Sequence, residues 1–114
     1  MPPEQADLAY LWDMHRAADD VAEFVAGLTF DAFARDKRTR FAVERQLLVI
    51  GEAAGRVSEG TRQQYLEIPW TSMIGLRNVL AHDYGDILVE RIWLVARDHV
   101  PTLLEQLAAA LEED

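Results

Sequence analysis

The stretch Pro69-Trp70-Thr71-Ser72-Met73-Ile74-Gly75-Leu76-Arg77-Asn78-Val79-Leu80-Ala81-His82-Asp83-Tyr84-Gly85 decides the fold. Its apolar residues Trp70, Met73, Ile74, Leu76, Val79, Leu80 and Tyr84 recur mostly at three- and four-residue steps, the period of an amphipathic helix and not of a strand. Pro69 suits a first helical turn, where its missing N–H sacrifices no hydrogen bond. Gly85 follows the last apolar residue and reads as a C-cap.

The same period continues on both sides. Leu8, Leu11, Ala18, Val21, Val25 and Leu28 mark a long first helix over about residues 5–27, with Gly27 as its end. Phe30 and Phe33 suggest a short helical turn that packs as a plug. Asp36 or Thr39 caps a second long helix, whose inward stripe is Phe41, Leu47 or Leu48, Ile50, Ala54 and Val57. Gly51 and Gly55 interrupt it and are expected to permit close approach of a neighbouring helix. Ser58-Glu59-Gly60 closes that segment, and residues 61–68 read as a polar connection with a short turn near Gln64 and Tyr65. A further helix over 87–98 is anchored by Ile87, Ile92, Trp93 and Val95. Pro101 then kinks it or starts another, carrying Leu103, Leu104, Leu107 and Leu111, and Glu112-Glu113-Asp114 fray. An all-α, antiparallel bundle of four to five helices follows, with residues 1–114 as a single domain.

Composition narrows the chemistry. The chain has 114 residues, 50% of them apolar, with about 6,300 Å² of folded surface expected at this size. It has no cysteine, so neither disulfides nor thiolate catalysis is available. Its net charge of −9 favours solubility and repels bulk nucleic acid, yet leaves a local anion site possible. Arg35, Lys37, Arg38, Arg40 and Arg45 concentrate positive charge in one run, either a solvated helix face or a phosphate-binding rim. No basic leader precedes an apolar core and no apolar run is long enough to span a membrane, so a cytoplasmic protein is expected.

The functional candidates sit at the end of the opening stretch. Arg77 offers a five-donor fork suited to phosphate, and histidine is the side chain whose ordinary titration lies nearest neutrality. Arg77 with His82, in a chain without cysteine or an evident carboxylate metal cluster, points to phosphodiester chemistry without metal. An ordinary helix end, with basic residues favoured by the dipole, is the plainer account of the same residues. His15 and His99 read as ordinary helix residues, and Trp12, Trp70 and Trp93 as core or interface anchors.

Arg77, four residues, His82, Asp83 and Tyr84 together match the Arg-x4-His-x-Tyr pattern. Asp36-Lys37-Arg38-Thr39-Arg40, Ile50-Gly51-Glu52-Ala53-Ala54, Glu67-Ile68-Pro69-Trp70 and Gly75-Leu76-Arg77-Asn78 accompany it in order and spacing. With these phrases the chain resembles the HEPN superfamily, specifically its HepT-like toxins, over about residues 8–108. Gly85-Asp86-Ile87 lacks the aromatic residue of many relatives. The resemblance implies an all-helical homodimer, metal-independent RNA cleavage, and a minimal nucleotidyltransferase antitoxin that attaches AMP from ATP to Tyr84. No cofactor is implied.

On this reading His82 is general acid or base and Arg77 stabilises the transferring phosphoryl group, with Asn78 as a supporting donor. The RNA 2′-hydroxyl attacks, leaving a 2′,3′-cyclic phosphate and a 5′-hydroxyl. Arg77 and His82 are five residues apart, about 140° around a regular helix. Either the last turn loosens, or the Arg and His of two subunits meet in a shared cleft, which the resemblance favours. Glu52 is a candidate to orient Arg77 or Arg40, and equally an ordinary exposed glutamate. Arg38 and Arg40 are candidates for RNA phosphate or simple solvation. Tyr84 stacks on a base, accepts AMP, or covers the helix end. The competing function is a non-catalytic helical dimer with a binding or structural role.

Overall fold

Leu11, Met14, Ala18 and Val21 follow one another at three- and four-residue steps and are all fully buried, which makes α1 (Gln5–Val25) the spine of a helical bundle. The structure is a computed structural model that describes residues 4–82 and 88–112. Gly27 ends the first segment with a φ of 75°, a left-handed conformation that favours glycine. Thr29 then caps α2 (Phe30–Arg35), its side chain accepting from the Ala32 N–H at 3.1 Å. The expected plug is present, with both rings beside Trp93 but only Phe33 sealed in the core. Phe33 is fully buried with its ring 5.2 Å from that of Trp93, whereas Phe30 is 41% exposed.

Asp36, not Thr39, caps α3 (Lys37–Arg56): its Oδ1 accepts from the Thr39 N–H at 3.1 Å, and its Oδ2 accepts from the Thr39 hydroxyl at 2.6 Å. Val43, Leu47, Ile50, Gly51, Ala53 and Ala54 form the buried face of this helix. Phe41 does not belong to it and is 56% exposed. It lies two residues before Val43, about 200° around the axis, so a helix that buries Val43 turns Phe41 outward.

Ser58 starts a helix where the sequence suggested only closure. Its side chain caps α4 (Glu59–Gln64), which occupies most of the expected polar connection. The short helix is tied to the start of α1 by buried Asp7. That carboxylate accepts from the Ser58 N–H at 2.9 Å, the Ser58 hydroxyl at 2.5 Å and the Thr61 hydroxyl at 2.6 Å. Arg62 donates to the carbonyl oxygens of Ala54, Gly55 and Val57, satisfying acceptors at the end of α3.

Trp70 opens α5 (Trp70–His82) and donates from its indole N–H to the Tyr65 carbonyl at 3.0 Å. The helix buries Trp70, Met73, Leu76 and Leu80. Ile87, expected as an anchor of the next helix, lies outside the described residues, as does Gly85. Beyond them α6 (Leu88–Leu94) runs through a π-helical turn at 95–99 into α7 (Val100–Leu111). Pro101 stands in the first turn of α7, so of the two alternatives it starts a further helical segment, one continuous with the arm before it. Its ring and missing N–H are incompatible with a regular ladder one turn back, and the wider π register there accommodates both.

α1 packs against α3 and α7, and α3 against α5. The molecule measures 44 × 29 × 19 Å, so its thin dimension holds two layers of helices about 10 Å across. The described residues contain helices and turns and no strand, an all-α bundle. Trp70 and Trp93 anchor its core, whereas Trp12 is 47% exposed, with its ring edge-on to that of His15.

Candidate active site on α3 and α5

Gly51 is the point at which α3 meets α5. A Cβ there would overlap Cβ of Arg77 and lie 2.8 Å from the Met73 carbonyl oxygen. Only glycine lets the two backbones approach this closely, and Arg77 is held at the crossing. Gly55, expected to act in the same way, has open space where a Cβ would stand.

Above the crossing lies a polar groove of about 410 Å³, lined by Gly51, Glu52, Gly55 and Arg56 of α3 and by Ile74, Arg77 and Asn78 of α5. Arg77 Nη2 is 3.9 Å from Glu52 Oε1, and Nη1 donates to Asn78 Oδ1 at 3.2 Å. The Arg77 and Glu52 side chains are 36% and 45% exposed, so their attraction is screened and contributes at most about 1 kcal/mol. Glu52 therefore aims the guanidinium without neutralising it. The remaining guanidinium donors are available to an anion in the groove, which is the chemistry an arginine fork serves.

His82 is the last residue of α5 and is exposed. Asn78 lies four residues earlier on the same stripe of the helix, whereas Arg77 lies about 140° away. α5 is helical through His82, so the alternative in which the last turn loosens does not apply as far as that residue. The protomer thus joins Arg77, Asn78 and Glu52 in one groove, and His82 is not among the residues that line it.

Other candidates are not brought to this groove. Arg38 and Arg40 sit in the first turn of α3, twelve or more residues before Glu52 and hence about 18 Å or more along the axis. Arg40 lies 6.0 Å from the ring centre of Phe41, and its Nε is buried with no hydrogen-bond partner among the described residues. Burial raises the pKa of nearby Glu44, and the charge of Arg40 opposes that rise. Tyr84 lies outside the described residues. No group of three or more His, Asp or Glu that could hold a metal ion occurs among the described residues. None of the described helices is long and apolar enough to cross a membrane.

One residue of the groove escaped the sequence reading. Arg56 lies four residues after Glu52 and therefore on the same face of α3, a spacing that was legible but carried no motif.

Comparison with known proteins places the chain in a family. The family described as Ribonuclease HepT-like matches residues 14–110. The chain is 35% identical over 98 residues to "Putative RNase MJ1380" of Methanocaldococcus jannaschii, covering 86% of this chain and 90% of that protein. It is also 35% identical over 94 residues to "Probable ribonuclease HepT" of Thermococcus cleftensis, covering 82% and 86%. No solved structure matches it. With Arg77 held at the α3–α5 crossing and a family match over most of its length, the chain belongs to the HepT-like ribonuclease family.

Proposed function

We propose that Arg77 and His82 carry the RNA cleavage of this HepT-like ribonuclease, from two subunits that share a cleft. The protein is a toxin-type ribonuclease by family, and RNA is its substrate. The observation that carries the residue assignment is Arg77 itself, held at the Gly51 crossing, aimed by Glu52 and Asn78, and open to the groove.

In the reaction the 2′-hydroxyl oxygen attacks the adjacent phosphorus while the bond from phosphorus to the 5′-oxygen breaks. His82 serves proton transfer, either taking the 2′-hydroxyl proton or delivering one to the leaving 5′-oxygen, with water making the other transfer. Arg77 stabilises the charge that builds on the phosphoryl oxygens. Asn78, with its Oδ1 engaged by Arg77, presents its amide N–H groups as further donors. The products are a 2′,3′-cyclic phosphate and a 5′-hydroxyl, and no step requires a metal ion.

The angular separation of Arg77 and His82 on one helix favours a homodimer in which Arg77 of one subunit meets His82 of its partner. Mixing Arg77→Ala with His82→Ala protein tests this. A shared cleft leaves one intact site in each mixed dimer and recovers roughly a quarter of parental activity after subunit exchange. No recovery in confirmed mixed dimers places both residues in the same subunit. Control of the enzyme falls to Tyr84, next but one to His82. A minimal nucleotidyltransferase transfers AMP from ATP to the Tyr84 hydroxyl oxygen, releasing pyrophosphate, and so adds a negatively charged phosphate to the motif.

A further inference from the structure

We propose that Arg56 is a second phosphate-binding residue of the cleft, taking the RNA backbone phosphate next to the one Arg77 grips. This rests on the ribonuclease reading and extends it to how the strand is held.

Arg56 and Arg77 line the same groove from opposite helices, and among the described residues Glu52 is the one acid lining it. Glu52 leans towards Arg77, 3.9 Å away, and Arg56 forms no ion pair or hydrogen bond among the described residues. A basic residue in the last turn of a helix ordinarily serves the helix end. That role is taken here by Arg62, whose guanidinium donates to the Ala54, Gly55 and Val57 carbonyl oxygens. Arg56 is thus an exposed cation that the helix end does not use, beside a groove whose other cation is the phosphate-gripping one. In a chain of net charge −9, two arginines on one groove, one only loosely paired and the other without an ion pair among the described residues, mark a path for a polyanion. A single-stranded backbone offers successive phosphates, and Arg56 meets the second.

The test uses His82→Ala protein, which leaves RNA intact, titrated with a short single-stranded RNA from 50 to 200 mM salt. Adding Arg56→Gln should weaken binding about tenfold at the lowest salt and reduce the slope of log affinity on log salt by about 0.7, the contribution of one phosphate contact. Arg56→Lys should restore the slope, and Arg16→Gln, on the exposed face of α1, should leave it at the parental value. In the active enzyme Arg56→Gln should raise KM more than it lowers kcat. An unchanged slope in a protein that binds and cleaves RNA overturns the role of Arg56 alone. A melting temperature lowered equally in the Gln and Lys variants, with the slope unchanged, assigns Arg56 to the helix end. Failure of the parent to cleave and of His82→Ala to bind RNA overturns the ribonuclease reading, and the Arg56 proposal with it.

Discussion

Replacing Gly51 by alanine puts one methyl group where the structure has no room for it. The new Cβ meets Cβ of Arg77 and comes to 2.8 Å from the Met73 carbonyl oxygen, both rigid parts of α5. Neither neighbour is the free end of a flexible side chain, so α5 itself has to move away from α3. Overpacking of this kind costs about 1–3 kcal/mol, and the better helix propensity of alanine returns about 1 kcal/mol. A net loss of about 1 kcal/mol corresponds to a melting temperature lower by about 4 °C at this chain length. The displaced segment carries Arg77, so cleavage should fall by roughly 10- to 100-fold as the guanidinium leaves its productive position. Gly55→Ala supplies the contrast, because its Cβ enters open space. It should keep only the propensity gain and raise the melting temperature by up to about 4 °C. Thermal unfolding of the two variants beside the parent gives the comparison. A Gly51→Ala protein at least as stable as Gly55→Ala would refute the close crossing.

Asp7 should make stability fall in acid. Burial raises its pKa, but the hydrogen bonds from Ser58 and Thr61 and the charge of Arg62 outweigh that and leave it lowered. A carboxylate depressed in the folded state stabilises above its unfolded pKa of about 3.9, and that stability is lost as pH falls through the folded value. Chemical denaturation from pH 6 to pH 2.5 should show this loss, and Asp7→Asn should flatten it while lowering neutral stability by about 1–3 kcal/mol. Phe33→Ala removes a fully buried ring from the contact with Trp93 and should cost about 3–5 kcal/mol, with a shift in tryptophan emission. Incubation with a cognate nucleotidyltransferase and ATP should add AMP mass at Tyr84 and suppress cleavage, and Tyr84→Phe should block both. Full cleavage after stoichiometric modification would remove Tyr84 from the control of the site.

α5 was legible because its apolar spacing, Pro69 and the motif at its end all describe the same element. α3 was legible as a helix, and Leu47, Ile50, Ala54 and Val57 of its expected stripe are buried, but the place of Phe41 was not legible. Phe41 and Leu48 offer one apolar register and Val43, Leu47, Ile50 and Ala54 another, and only packing against α1 and α5 selects the second. α4 carries no apolar stripe. It is held by the Ser58 cap and by Asp7, a partner more than fifty residues away that local pattern cannot reveal. At the site, Gly51 and Glu52 were identifiable from their phrase, and the structure joins both to Arg77. Arg56 was not, because a basic residue at a helix end is ordinary until Arg62 is seen to fill that role.

The central claim is that side chains of this protein, with His82 moving the proton, cleave RNA without metal. Purified parent and His82→Ala proteins, confirmed to fold alike, should be incubated with RNA in EDTA and the product ends identified. The account predicts 2′,3′-cyclic phosphate and 5′-hydroxyl ends from the parent and a loss of at least about 100-fold in the variant. Cleavage by His82→Ala at the parental rate, or cleavage that appears only with added divalent metal, would contradict it.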